Sequence, residues 1–291
     1  DQSSLVVSIS DGLNMQTNFE YKPLTDNSIY TKGTGGIYPV TDFQGPLYVV
    51  SKMNIPDGIG GTLPTTYHYS GAKIHRQGKG FLGFSEVTAT NTVKNKKITN
   101  KYDLNTTFYF PELKETEVST TENILISKTN TTYQVTDKGN KRFFVAPATT
   151  ISNDNLTNIV KSGSFIYDNY GNVTRQTVDY NGEGSDTILN TYITAGAWCP
   201  SRIETSTITK TLQGKPTYIR TTNYSYTSDG LVASATTDPG LEKSVTTTYQ
   251  YDSYGNHTLK TLSATNLASR TVQYEYDSKG RFVTKQTNPL G

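Results

Sequence analysis

Thr246-Thr247-Thr248-Tyr249-Gln250-Tyr251-Asp252-Ser253-Tyr254-Gly255 is the stretch that decides how this chain folds. Three β-branched residues lead into two aromatic rings separated by one polar residue, a composition suited to a pleated, half-buried surface. Rings at i and i+2 fall on the same side of a strand, so Tyr249 and Tyr251 face one way and Gln250 the other. In the Asp-x-x-Gly that follows, the carboxylate accepts backbone N–H groups at the start of a tight turn and glycine takes the left-handed position at its end. Asn256-His257-Thr258-Leu259-Lys260-Thr261-Leu262 then resumes an alternating run. The unit is a β-hairpin with strands of about 6–8 residues.

The hairpin recurs. Tyr224-Ser225-Tyr226 runs into Thr227-Ser228-Asp229-Gly230, and Tyr274-Glu275-Tyr276 into Asp277-Ser278-Lys279-Gly280, with the first tyrosine at 224, 249 and 274, a period of 25 residues. A fourth copy, Phe165-Ile166-Tyr167-Asp168-Asn169-Tyr170-Gly171, stands 59 residues before the first of these. The interval of about 183–220 reads as an insertion. The expected architecture is all-β: successive antiparallel hairpins laid side by side into a long curved sheet, with the paired rings on one face and stacked in rows. Two regions are expected, a β-rich one over 1–150 and the repeat sheet over 151–291.

Composition agrees with a packed sheet. Only 33% of the 291 residues are hydrophobic, yet 21 Tyr and 10 Phe supply large rings that can be buried. The mean hydropathy of −0.54 would suit disorder, but a disordered chain lacks this wealth of Thr, Val, Ile and Tyr. With 27 Lys and Arg against 25 Asp and Glu, interspersed along the chain, nothing resembles a nucleic-acid or polybasic membrane surface. No apolar run reaches the roughly 18–20 residues that span a bilayer. The lone Cys199 offers no internal disulfide. The start at Asp1-Gln2-Ser3-Ser4, with neither Met nor signal peptide, leads us to expect a processed or excised chain.

Tyr-Asp-x-x-Gly followed by a strand is the hallmark of YD or RHS repeats, which this chain resembles. Gly78-Lys79-Gly80-Phe81-Leu82-Gly83-Phe84 is similar to the GRGFLGF signature of the B components of bacterial insecticidal toxin complexes and related RHS proteins, with Lys79 in place of the usual Arg. Trp198-Cys199-Pro200-Ser201-Arg202 resembles the family's W-x-x-G-R, with Ser201 where Gly is usual, and Gly280-Arg281-Phe282 with Asn288-Pro289-Leu290-Gly291 resembles its GRF…NxLG. The resemblance covers about 60–291, and residues 1–59 carry no motif. It implies a sheet that spirals into a hollow shell around a toxic C-terminal polypeptide, and hence a bacterial protein that is secreted or held at the cell surface. Its partners would be the rest of the same polypeptide, that C-terminal toxin or effector, and a partner shell or delivery protein. The family's self-cleaving aspartate site has no counterpart here.

No residues converge on catalysis or on a cofactor. His68, His75 and His257 form no metal-ligand pair, and Cys199 has no neighbouring base. The glycines of 78–83 lack the Lys-Ser/Thr and flanking helix of a phosphate loop, and are read as easing a strand so that Phe81 and Phe84 can pack. Asp179 to Asp186 offers several oxygens but not the register of a calcium loop. The residues that carry the reading are therefore structural: Tyr167, Asp168, Gly171, Tyr224, Tyr226, Gly230, Tyr249, Tyr251, Asp252, Gly255, Tyr274, Tyr276, Asp277 and Gly280 in the repeats, and Gly78, Gly80, Phe81, Gly83, Phe84 and Trp198 in the family motifs. Tyrosine faces beside Asn, Asp and Gln also suit sugar, so the alternative is an adhesin or carbohydrate-binding module on the same fold.

Overall fold

The structure, a computed structural model, describes residues 4–193 and 200–290, so Trp198 and Cys199 lie outside the described residues. The described residues form strands, turns and loops without a helix, and none therefore offers a helix able to cross a membrane. The chain divides into two compact units, residues 1–161 and 162–291.

Strands of the first unit are β1 (Ser8–Ser10), β2 (Gln16–Pro23), β3 (Tyr30–Thr31), β4 (Val40–Asp42), β5 (Tyr48–Pro56), β6 (Thr62–Ser70), β7 (Lys73–His75), β8 (Gly80–Gly83), β9 (Glu86–Asn91), β10 (Lys96–Asn105), β11 (Phe110–Ser119), β12 (Leu125–Gly139) and β13 (Arg142–Asp154). An antiparallel path runs β1, β2, β5, β6, β9, β10, β11, β12, β13. Two excursions leave it. β3 returns to pair parallel with the end of β6, Tyr30 beside Tyr69, while β4, β7 and β8 make a separate three-stranded sheet.

These excursions build the buried core of this unit. Leu24, Ile29, Tyr30 and Ala72 are buried together, with Phe43, Val49, Tyr69 and Phe84 packed around them. The buried Tyr30 hydroxyl must find partners: it donates to the Phe43 carbonyl at 2.6 Å and accepts from the Ala72 N–H at 3.2 Å. Burial raises its pKa. The Lys73 ammonium, bonded to Asp42, ties β7 to β4 beside the core.

Further on, Lys101 of β10 and Lys128 of β12 bracket Glu115 and Glu117 of β11, at 2.7 to 3.4 Å. The bond from Lys101, seconded by Lys128, holds Glu115 at about 2.

The second unit opens within β14 (Ile159–Tyr167) and continues through β15 (Val173–Asp179), β16 (Gly184–Tyr192), β17 (Ile203–Leu212), β18 (Tyr218–Tyr226), β19 (Val232–Thr237), β20 (Val245–Tyr251), β21 (His257–Ala264), β22 (Leu267–Tyr276) and β23 (Val283–Thr287). Each strand pairs antiparallel with the next in sequence. The interval 183–220, which the sequence presents as an insertion, supplies β16, β17 and the start of β18 to this path.

Tyr30→Phe keeps the ring and deletes the hydroxyl, which strands the Phe43 carbonyl and the Ala72 N–H. We expect a loss of about 1–3 kcal/mol in chemical denaturation followed on the first unit's signal. Stability equal to that of the unaltered chain would show that the hydroxyl is not what closes this core.

Candidate functional site along the repeat turns

Burial follows the parity of the repeat. Tyr224 and Tyr226, Tyr249 and Tyr251, Tyr274 and Tyr276 are half-buried, whereas Ser225, Gln250 and Glu275 between them are exposed. The turns close as the Asp-x-x-Gly chemistry requires: the N–H groups of Gly171, Gly230, Gly255 and Gly280 donate to the carbonyls of Asp168, Thr227, Asp252 and Asp277 at 2.8 to 3.1 Å, with each glycine at positive φ. Asp252 Oδ1 accepts from the N–H groups of Tyr254 and Asn256, both at 2.9 Å, and Asp168 Oδ1 does the same for Tyr170 and Asn172 at 2.8 and 2.9 Å. Asp277 takes the N–H of Arg281 at 2.6 Å and of Phe282 at 3.0 Å.

These bonds set the charge state of the turns. Asp277 lies below the ordinary carboxylate range, first because of the Phe282 N–H and then the Arg281 N–H. At Asp168 and Asp252 burial pushes the carboxyl up, but the bonds from Asn172 and Asn256, with those of the other turn N–H groups, outweigh it and the net shift is downward.

At the second tyrosine the hairpin carries a β-bulge. Tyr226 pairs with Val232 although Ser225 pairs with Ser234, and the same one-residue slip occurs at Tyr167, Tyr192, Tyr251 and Tyr276. On the other side of that strand the ladder to the preceding hairpin has already ended: β19 and β20 pair only from Ser234 to Thr237. Tyrosine fills the gap. The Tyr251 hydroxyl donates to the Val232 carbonyl at 2.7 Å, Tyr276 to His257 at 3.2 Å, and Tyr192 to Val173 at 2.8 Å, each reaching 19 residues back; Tyr226 reaches Ile203 at 2.7 Å over 23 residues.

A second tie runs the opposite way. Asn256 Nδ2 donates both to Asp252 Oδ2 at 3.0 Å and to the Gly280 carbonyl of the next turn at 2.8 Å, and Asn172 Nδ2 likewise joins Asp168 to the Pro200 carbonyl, each at 2.9 Å. Neighbouring repeats are thus joined by hydroxyl and amide bonds to backbone, where rows of stacked rings were the expectation. The ring contacts around the Tyr249 pair are with His257, at 5.0 and 4.7 Å. Tyr192, Asn172 and Asn256 do not stand out in a motif search, although Tyr192 lies 25 residues after Tyr167 and that spacing is its one legible signal.

The other singled-out residues lie elsewhere. Gly78, Gly80 and Gly83 stand at positive φ around the β7–β8 hairpin. Phe81 meets Phe43 and Phe84 edge-on at 6.2 and 5.3 Å, and Phe84 reaches Tyr69 at 4.7 Å. Lys79 donates to the Phe108 carbonyl at 2.7 Å. His75 is buried edge-on against Tyr109, His68 contacts Thr31, and His257 is in the second unit, so the three histidines do not converge. Among the described residues no cluster of three His, Cys, Asp or Glu could hold a metal. Asp186 instead faces Lys210 and the Tyr180 hydroxyl.

Residues 2–115 match the family described as "Insecticide toxin TcdB middle/N-terminal region", a span that takes in the motif-free stretch from residue 2 to 59. No curated protein matches the chain. The crystal structures of TcdB2-TccC3-Cdc42 and TcdB2-TccC3-TEV superpose with TM-scores of 0.56 and 0.59 at 10% and 11% identity, over 84% and 94% of this chain and 21% and 22% of those chains. The likeness at this identity is one of fold, and the chain spans about a fifth of the length of the chains it matches.

Two outcomes test the turns. A Cβ on Gly255 would meet only Leu231, at 3.8 Å, whereas on Gly280 it would lie 2.5 Å from the Tyr254 ring. Both substitutions to Ala carry positive-φ strain of about 1–2 kcal/mol, so Gly280→Ala should lower the melting temperature more than Gly255→Ala, and the difference should vanish in a Tyr254→Ala background. Because the turn carboxyls are lowered in the folded state, their contribution is present above the unfolded value of about 3.9 and is lost as pH falls below it. The melting temperature should hold near neutrality and drop below about pH 4, and Asp252→Asn should lower it at neutral pH while reducing the acid drop. A pH-independent difference between the two proteins would show that the carboxylate charge is idle.

Proposed function

We propose that this chain, an RHS-type protein like the B components of insecticidal toxin complexes, forms a non-catalytic segment of a hollow wall that encloses or presents a C-terminal toxin or effector polypeptide. The observation that carries the reading is the repeated tie in the second unit. Each hairpin joins the previous one by the same backbone ladder and the same tyrosine hydroxyl, so cohesion is distributed along the sheet, as in architectures that grow by adding identical units. Such a chain needs no reactive constellation. The likeness in fold to TcdB2 in complexes with TccC3 supports partners of the same kind: the remainder of the polypeptide, its C-terminal effector and a partner shell, in a protein secreted by or displayed on a bacterium.

Limited proteolysis of the protein expressed from its native locus tests the wall. The polypeptide it encloses should resist protease for as long as the repeats hold, and Tyr226→Phe, Tyr251→Phe and Tyr276→Phe combined should shorten that protection severalfold. Rapid cleavage of the polypeptide in the unaltered protein would overturn the reading.

A further inference from the structure

Strand parity sorts the second unit into two unlike faces. Register places Tyr224, Ala235, Thr247, Leu262 and Arg270 in one cross-strand row, with Tyr249 opposite Lys260 and Tyr218 opposite Lys210 on the same side. From β16 to β23 this face carries four cations, Lys210, Arg220, Lys260 and Arg270, against one acid, Asp186. Asp186 is taken by Lys210 at 3.4 Å, and Arg220 is matched by Asp238 at 3.6 Å. Lys260 and Arg270 are exposed and have no acidic partner among the described residues.

The other face is built of hydroxyls that bond one another: Thr191 with Thr205 at 2.8 Å, Thr207 with Thr221 at 2.9 Å, Ser225 with Ser234 at 2.7 Å and Thr236 with Thr246 at 3.1 Å. Its charges are Glu204, which receives the Thr191 hydroxyl, and the Glu275–Lys285 pair.

We infer that the tyrosine-bearing face of β16 to β23 holds an extended, acidic stretch of polypeptide. Unpaired cations beside aromatic rings are the groups that carry binding at protein surfaces, the ring stacking on side chains and the cation choosing the sign. The first tyrosines, Tyr224, Tyr249 and Tyr274, keep their hydroxyls out of the ties that occupy the second ones. Beside Arg270 a cavity of about 850 Å³, lined by Val245, Leu262, Ala264 and Leu267, offers room for side chains next to the charge. Two unpaired cations are too few for a nucleic acid, whose affinity grows with each neutralised phosphate. That the polypeptide is the enclosed one rests on the wall reading above; the sign and the face do not.

The test uses the full chain and three fluorescent probes: a short unstructured peptide of Glu, Gly, Ser and Tyr, its counterpart with Lys for Glu, and a single-stranded DNA of similar length. Anisotropy should show the Glu peptide binding about tenfold more tightly than the Lys peptide, with added salt weakening it. Lys260→Glu with Arg270→Glu should weaken it about tenfold, whereas Thr221→Glu with Thr248→Glu on the hydroxyl face should leave it unchanged; melting curves confirm that each variant is folded. Equal binding of both peptides, an unmoved affinity in the reversal variant, or tighter binding of the DNA would overturn the inference. Binding of the Glu peptide by a protein whose own downstream polypeptide is readily proteolysed would preserve this surface and discard the enclosure.

Discussion

A hydrogen bond from a tyrosine hydroxyl to a backbone carbonyl, placed where the β-ladder between two hairpins stops short, is the interaction on which the repeat unit depends. A bulge at each second tyrosine shifts the register by one residue, bends the strand and strengthens its twist. It also ends pairing with the preceding hairpin before the turn is reached, so carbonyls such as those of Val232 and His257 lie past the last ladder pair. A backbone acceptor left unpaired is costly where water reaches it poorly, and the bonds of Tyr192, Tyr226 and Tyr251 are half-buried. Among common side chains only tyrosine combines a ring that fills the space above the strand with a donor long enough to reach that carbonyl, which is why phenylalanine does not replace it at 192, 226, 251 or 276.

How much of this could be read from the chain depends on the range of each contact. The parity of Tyr249 and Tyr251 and the chemistry of Asp252 to Gly255 are local, and the strand and turn follow from them. The reach of Asn256 to Gly280 spans 24 residues and has no local signature. Tyr192 belongs to the same series, but the segment after it is longer than the other turns and lacks the Asp-x-x-Gly pattern, so the interval reads as an insertion while its strands keep the path. The first unit was the least legible. Its core joins Tyr30 to Ala72 across 42 residues, through two excursions from the antiparallel path, and no periodicity reports such a contact.

The ties are uneven, and the unevenness has a structural consequence. Turns 168–172 and 252–256 each send an asparagine to the next turn, whereas Leu231 stands at the equivalent position after Gly230 and has no side-chain donor to send. The step from the turn at 227–231 to that at 252–256 therefore relies on the ladder of β19 with β20, the bond of Tyr251 to Val232 and the hydroxyl pair of Thr236 with Thr246. That ladder is also short, four residue pairs.

A sheet joined by repeated small bonds spreads its cohesion along its whole length. No single tie carries the fold, since each contributes on the order of 1 kcal/mol, yet the first hairpin step to open will be the one with fewest ties. In the second unit that step lies between β19 and β20, next to the row that carries Tyr249 and Lys260. The two rings of each tyrosine pair thus differ by position: the second spends its hydroxyl on the tie between hairpins, and the first leaves its hydroxyl on the face where the cations stand.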